Sequence, residues 1–302
     1  MTADHWTREG DIGEHREKLL AALLSVGVNL SLIAVEAGVA WFTGSLAVLA
    51  DAGHSTFDLF ASIAAVWGVR MAAAPPDRGH PYGHEKFENI SSLIQVGLLG
   101  LISLFIVVEV GVRLATGFTL AVSGVALIII VVTLAVDWLT ARYLATVARR
   151  HHSFALEADA YHFTTDFWGK VAVIVGLTAA LIGQKWVDPG AALVVAGLML
   201  YTGWRLGHRS TQVLLDAAPR GSLQSRVREI LVAEAGDSGF HSLRMRQAGK
   251  WVLLDVALHL PPQMSIAEGH DRAHRLCRRL QEEIAEVREA VVHIEPEDAH
   301  HE

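Results

Sequence analysis

The sequence predicts an α-helical membrane protein, with six transmembrane helices followed by a C-terminal cytoplasmic α+β domain of α-β-β-α-β order. Three observations predict it. Long uncharged apolar runs recur along the first two thirds of the chain, Lys and Arg crowd one alternate set of the loops between them, and the composition turns charged after Pro219. The balance agrees: 52% of residues are hydrophobic and 19% charged, against about 25% charged in an average soluble protein. With a net charge of −7, these figures exclude a disordered chain, a collagen-like chain and a basic nucleic-acid binder. The single cysteine, Cys277, excludes a disulfide framework and a Cys-based zinc module, and fits a reducing environment. The polar start of the chain does not read as a cleavable signal peptide.

A helix crosses the hydrocarbon core with about 20 mainly apolar residues. Asn89 to Val108 and Leu114 to Val136 are uncharged and meet that length alone. The runs from Leu19 to Val35, Val171 to Gln184 and Pro189 to Trp204 reach it once a few polar residues are admitted. Six spans follow, at approximately 19–42, 48–73, 89–112, 116–145, 157–182 and 187–209. One set of loops holds Arg8, Arg16, Lys18, Arg70, Arg78, Lys86, Arg142, Arg149, Arg150, Arg205, Arg209 and Arg220, while the opposite set offers only Arg113 and Lys185. By the positive-inside bias both termini are cytoplasmic.

Beyond Pro219, Ser242 to Gln247 and Trp251 to Leu260 alternate as strands do, around the turn signal Ala248-Gly249-Lys250. Helical patterns fit 221–236 and 265–287, with Gly236 as a C-cap, and Ala290 to Glu295 reads as a last strand. A domain of that size is marginal alone, which favours packing against a second copy.

Ionisable residues inside the spans carry the chemistry. A charge at mid-bilayer costs at least about 2.5–3.5 kcal/mol, so each needs a reason. His54 and Asp58 on the second span are four apart, as are His162 and Asp166 on the fifth, and each pair shares one helix face. Two such faces turned together offer two imidazoles and two carboxylates, a closed tetrahedral shell for Zn²⁺ in which the carboxylates neutralise the ion. Asp51, one turn before His54, either orients it as a hydrogen-bond acceptor or sits near the outer interface. In the loop after the second span, Asp77, His80 and His84 lie among Pro75, Pro76, Gly79, Pro81 and Gly83. That backbone either presents three ligands at fixed angles or forms an exposed polar turn.

The stretches SLAVLADAGHSTFD, PPDRGHPYGHEKFENISSLIQ, ADAYHFTTD and FHSLRMRQAG through VVHIEPED resemble the cation diffusion facilitator family of divalent-metal/proton antiporters, over about residues 15–298. The resemblance implies that His54, Asp58, His162 and Asp166 are the transport site. It implies a peripheral zinc site at Asp77, His80 and His84, and an interdomain charge pair between Lys86 and Asp216. It also implies a two-metal site in paired cytoplasmic domains at His241, His270, His293 and Glu295. One position departs: Ala257 stands where the family usually places a strand histidine, and Asp255 or His259 on the same face is the candidate substitute. His5, His15, His151, His152, His274, His300 and His301 read as solvated surface residues, and His208 as a residue of the inner membrane interface.

The domains expected are a cytoplasmic segment at 1–18, a transmembrane domain at 19–211 and a metal-binding, dimerising cytoplasmic domain at 212–302. The function expected is proton-coupled export of Zn²⁺, with Cd²⁺, Co²⁺ and Ni²⁺ as further substrates, by a homodimer of the cell inner membrane that contacts lipid but no nucleic acid. Zn²⁺ is expected as substrate and as a structural or regulatory ion. The alternatives are a membrane metal sensor or scaffold, and a di-iron enzyme built on the His80–His84 box. The enzyme lacks further histidine boxes, and a P-loop for ATP-driven pumping is missing from the sequence.

Overall fold

Six long helices precede a three-stranded sheet and two shorter helices in the computed structural model, which describes residues 9–43, 46–116, 124–182, 184, 186–219, 221–236 and 238–297. The long helices are α1 (Glu9–Thr43), α2 (Leu46–Ala72), α3 (Phe87–Thr116), α4 (Gly124–His151), α5 (Phe154–Leu181) and α6 (Val187–Leu214). The chain divides into two units, Met1–Thr211 and Gln212–Glu302.

Four of the described helices are long and apolar enough to cross a membrane, over Gly13–Phe42, Phe87–Val112, Leu127–His151 and Pro189–Leu214. Six were expected. Helices α2 and α5, of 27 and 28 residues, are not among the four; the side chains of residues 46–54 of α2 and of 177, 180 and 181 of α5 lie outside the described residues. The first unit has the inverted character of a membrane protein. Its outside shows Trp41, Phe42, Phe105, Leu139 and Trp204, while Ser25, Asn29, Glu36, Ser62, Ser92, Asp159 and Ser210 are buried. Water does not sustain so extensive an apolar rim on a monomer; acyl chains do.

Small residues set the packing. Ala21, Ala22, Ala65, Ala141, Ala148, Ala155 and Ala160 let α1, α2, α4 and α5 close around Leu144, Leu156 and Phe163. Leu99 and Ile102 of α3 meet Val195 and Met199 of α6 in a second cluster. Among the described helices of this unit the tightest approach at a glycine is at Gly68, where an added Cβ would lie 2.3 Å from the Cβ of Ser91. The Ser91 hydroxyl also donates to the Ala64 carbonyl (2.6 Å), tying α3 to α2. Gly68→Ala is expected to force the two helices apart at a cost of about 1–3 kcal/mol, read as a lower Tm of the detergent-solubilised protein.

At its N-terminal end α1 starts well before residue 19 and brings charge into the bundle. Lys18 is 1% exposed and binds Glu88 of α3 (2.9 Å) and Glu14 (3.2 Å). Ser153 caps α5 through the Leu156 N–H and donates its own hydroxyl to the other oxygen of Glu88. His151, expected as a solvated residue, is instead mostly buried between Glu17 (2.9 Å) and Glu14 (3.8 Å).

The second unit runs α7 (Gly221–Ala235), β1 (Phe240–Ala248), β2 (Trp251–Leu260), α8 (Ile266–Glu283) and β3 (Val287–Pro296). Gly236 closes α7 at φ +79°, and Gly249 at φ +61° makes the two-residue turn that pairs Ala248 with Trp251. Strands β1 and β2 are antiparallel, and α8 is the crossover that lets β3 run parallel to β2. A Ser265/Glu268 capping box starts α8, which ends earlier than the sequence pattern suggests because Ile284 has already turned extended. Leu231, Leu254, Leu258, Leu276, Leu280 and Ile284 form the core. The register of β1 slips by one between His241 and Arg244, a bulge in which Ser242 takes φ +53°. Cys277 donates its S–H to the Ala290 carbonyl (3.3 Å), and burial pushes its thiol pKa up, so it is not a poised nucleophile.

Candidate metal centre

The i,i+4 spacings on α2 and α5 converge. His162 Nε2 lies 2.6 Å from Asp58 Oδ1, and one ligand atom from each of Asp58, His162 and Asp166 falls within 4.8 Å of the others. Asp58 and His162 are buried and Asp166 is partly so. Residues 51 and 54 belong to α2, but the side chains of Asp51 and His54 lie outside the described residues, as do His5, Arg8, Arg113, Lys185, Arg220, His300 and His301.

The surrounding bundle holds more charge than the HxxxD pairs reveal. Asp159, one turn before His162, accepts from Ser62 (2.8 Å), which in turn accepts from Asn29 of α1 (2.9 Å). Glu36 of α1 accepts from Ser55 (2.7 Å), three residues before Asp58. Asp137 of α4 pairs with Lys170 of α5. Sequence reasoning passed over all four. The signal was available: each is an ionisable residue inside or at the end of an apolar run, and Lys170 is four past Asp166.

The loop between α2 and α3 brings together Asp77, His80 and His84, with one ligand atom of each within 4.8 Å of the others. Gly83 turns the chain at φ +87°. The Nδ1 of His84 is 3.2 and 3.1 Å from the carbonyls of Ala74 and Pro75. Carbonyls only accept, so Nδ1 carries a proton and donates, and Nε2 faces Asp77 3.5 Å away. Asp77 Oδ1 accepts the backbone N–H groups of His80 (2.7 Å) and Gly79 (2.8 Å). The His80 bond, helped by that of Gly79 and by the nearby imidazoles, holds the Asp77 carboxyl below its usual range. It therefore remains an anionic donor at any physiological pH.

In the second unit, His241, His259 and Glu295 form the third such cluster. His259 Nδ1–H donates to the Ser238 carbonyl (3.2 Å), and its Nε2 shares a hydrogen bond with His241 Nδ1 at 2.9 Å. Glu295, opposite His259 in the ladder, lies 3.7 Å from His241 and 3.2 Å from His293, which is largely exposed. Of the two neighbours of Ala257, His259 joins the cluster and Asp255 does not. The bulge in β1 puts Arg244 opposite Asp255, and the two pair at 3.8 Å. His270 stands on α8 with its ring against His274. Asp216, just past α6, takes φ +57° and lies 3.5 Å from Arg246 of its own unit; Lys86 belongs to the other unit.

An apolar-rimmed helical bundle with carboxylates and an imidazole gathered in its interior is the arrangement expected of a membrane protein that moves ions, since such groups are costly in lipid. The cation efflux transmembrane domain matches residues 22–215 and the cation efflux protein cytoplasmic domain matches residues 219–297. The chain belongs to the cation efflux family, the cation diffusion facilitators, which are transporters of divalent metal cations. It is 32% identical to an uncharacterized transporter of Synechocystis, sll1263, covering 88% of this chain and 85% of that one. It is 31% identical to the cation-efflux pump FieF of Shewanella oneidensis (92% and 93% covered) and 28% identical to the manganese efflux system protein MneS of Bacillus subtilis (91% and 94%).

Proposed function

We propose that the protein exports divalent cations, Zn²⁺ first among them, from the cytoplasm in exchange for protons, with Asp58, His162 and Asp166 as transport ligands and His54 as the fourth. The observation that carries this is the meeting of Asp58, His162 and Asp166 between α2 and α5. At 2.6 Å, one proton lies between His162 Nε2 and Asp58 Oδ1, whichever atom holds it. A metal ion bonded to both atoms must displace that proton, so loading releases H⁺ and returning H⁺ expels the metal. Imidazole is the side chain suited to this exchange near neutral pH. Two imidazoles with two carboxylates favour Zn²⁺, whereas Mn²⁺ prefers carboxylate and water oxygens in octahedral geometry.

Six transmembrane helices, both termini cytoplasmic, would follow from the Lys and Arg distribution. Alternating access of that bundle, in a lipid-embedded inner-membrane homodimer, would expose the site first to the cytoplasm and then outside. Asp77, His80 and His84, and His241, His259 and Glu295 with His293, would hold Zn²⁺ as a structural or regulatory ion. The manganese named for the Bacillus relative makes Mn²⁺ the second substrate to test.

Metal uptake into everted membrane vesicles under an imposed pH gradient tests the reading, with zinc, cadmium, cobalt and manganese compared. Zinc uptake that collapses when the gradient is dissipated is the expected result. Uptake indifferent to the gradient would overturn the antiport, and manganese taken up in place of zinc would overturn the selectivity.

A further inference from the structure

Lys170 lies four residues past Asp166 on α5, so the two share a helix face with Cβ atoms roughly 6 Å apart. From α4, Asp137 reaches this lysine with Oδ2 2.5 Å from Nζ, and Asp137 is 1% exposed. The rings of Trp138 and Phe167, beside the pair, pack with centroids 5.0 Å apart and hold α4 against α5 at this level. An ammonium at that depth is expensive, and a buried ion pair is weak as a source of stability, since apolar side chains of the same volume do as well. Its placement one turn from a cluster of carboxylates gives it another use.

We propose that Lys170, positioned by Asp137, is the tethered counter-charge of the metal site and sets its affinity for divalent cations. This rests on the reading of Asp58, His162 and Asp166 as the transport site. The ammonium offsets part of the negative charge of Asp58 and Asp166. Asp137 holds it a turn away, so that it does not collapse onto the ligands and block them. An arriving dication meets one fixed positive charge beyond its ligands, so it binds tightly enough to load and loosely enough to leave. The role needs charge and position only; Lys170 does not have to touch the metal.

The test is zinc flux into proteoliposomes containing the full-length protein, with KM and kcat measured for single and paired variants. Lys170→Met removes the repulsion and leaves Asp137 as added negative charge, so KM is expected to fall about tenfold, with a lower kcat as release slows. Asp137→Asn frees the ammonium toward Asp166, and KM is expected to rise about 10- to 100-fold. The double variant D137N/K170M loses the ammonium but also the added negative charge, so its KM is expected to lie below that of the parent and above that of Lys170→Met. A pair that only braces α4 against α5 would move both single variants the same way, together with Tm, and that outcome overturns the proposal. If Lys170→Met does not fold, Lys170→Arg, which keeps the charge and the KM, is compared with Asp137→Asn; equal KM values there also overturn it. Asp166→Asn separates the two readings. Undiminished flux in that variant removes the transport site and this proposal together. Lost flux there, without opposite KM shifts at positions 137 and 170, removes the proposal alone.

Discussion

Asp166→Asn is expected to lower zinc flux in proteoliposomes by about 100-fold or more, with the protein still folded. The substitution keeps the shape of the side chain and removes one of the carboxylates within 4.8 Å of His162. Removing one charged partner from a desolvated, hydrogen-bonded charge contact costs binding about 2–5 kcal/mol, roughly 10²-fold at the middle of that range. Asp58→Asn acts on the same cluster and adds the loss of the 2.6 Å bond to His162. Because both residues serve one ion, the double variant is expected to be little worse than either single one, as groups that act as a unit are not additive. Independent, multiplying losses would mean that the two carboxylates serve different steps.

Lys18→Met is the largest stability effect expected. Lys18 is 1% exposed and neutralises Glu88, which is itself 4% exposed and also bonded to Ser153. Removing the ammonium strands a buried carboxylate where α1, α3 and the start of α5 meet, at a cost of about 3–5 kcal/mol. Thermal unfolding of the solubilised protein followed by tryptophan fluorescence reads the loss. Lys18→Met combined with Glu88→Leu is expected to recover most of it, since an apolar pair of similar volume needs no counter-ion. Arg150→Ala is the contrast. Its ion pair with Glu17 is 62% and 37% exposed, and its loss is expected to cost no more than about 1 kcal/mol.

The helical meeting of Asp58, His162 and Asp166 was legible because an i,i+4 pair is a local pattern and a charge inside an apolar run is conspicuous. The hairpin was legible for the same reason, since Gly249 and the flanking alternation are local. The pairing of Asp137 with Lys170 was not, because each shows in the sequence only as a charge in or at the end of an apolar run, and only the packing of α4 on α5 makes them partners. The surface reading of His151 failed likewise: its two carboxylates come from α1, more than 130 positions earlier in the chain. Asp255 and His259 share one face by alternation, and sequence alone leaves them equivalent. What separates them is which residues of β1 stand opposite, and that depends on a bulge with no sequence signature of its own.

That bulge has a mechanical corollary. Ser242 and Leu243 together face the single residue Val256, so the segment before them is displaced by one step relative to the segment after. His241 thereby keeps its imidazole beside His259 while Met245 still contributes to the apolar layer. The extra residue works as a phase shifter between two halves of one strand. Without it, correct hairpin closure would rotate His241 to the opposite side of the sheet, and a sound hydrophobic interior would come at the expense of the imidazole pair.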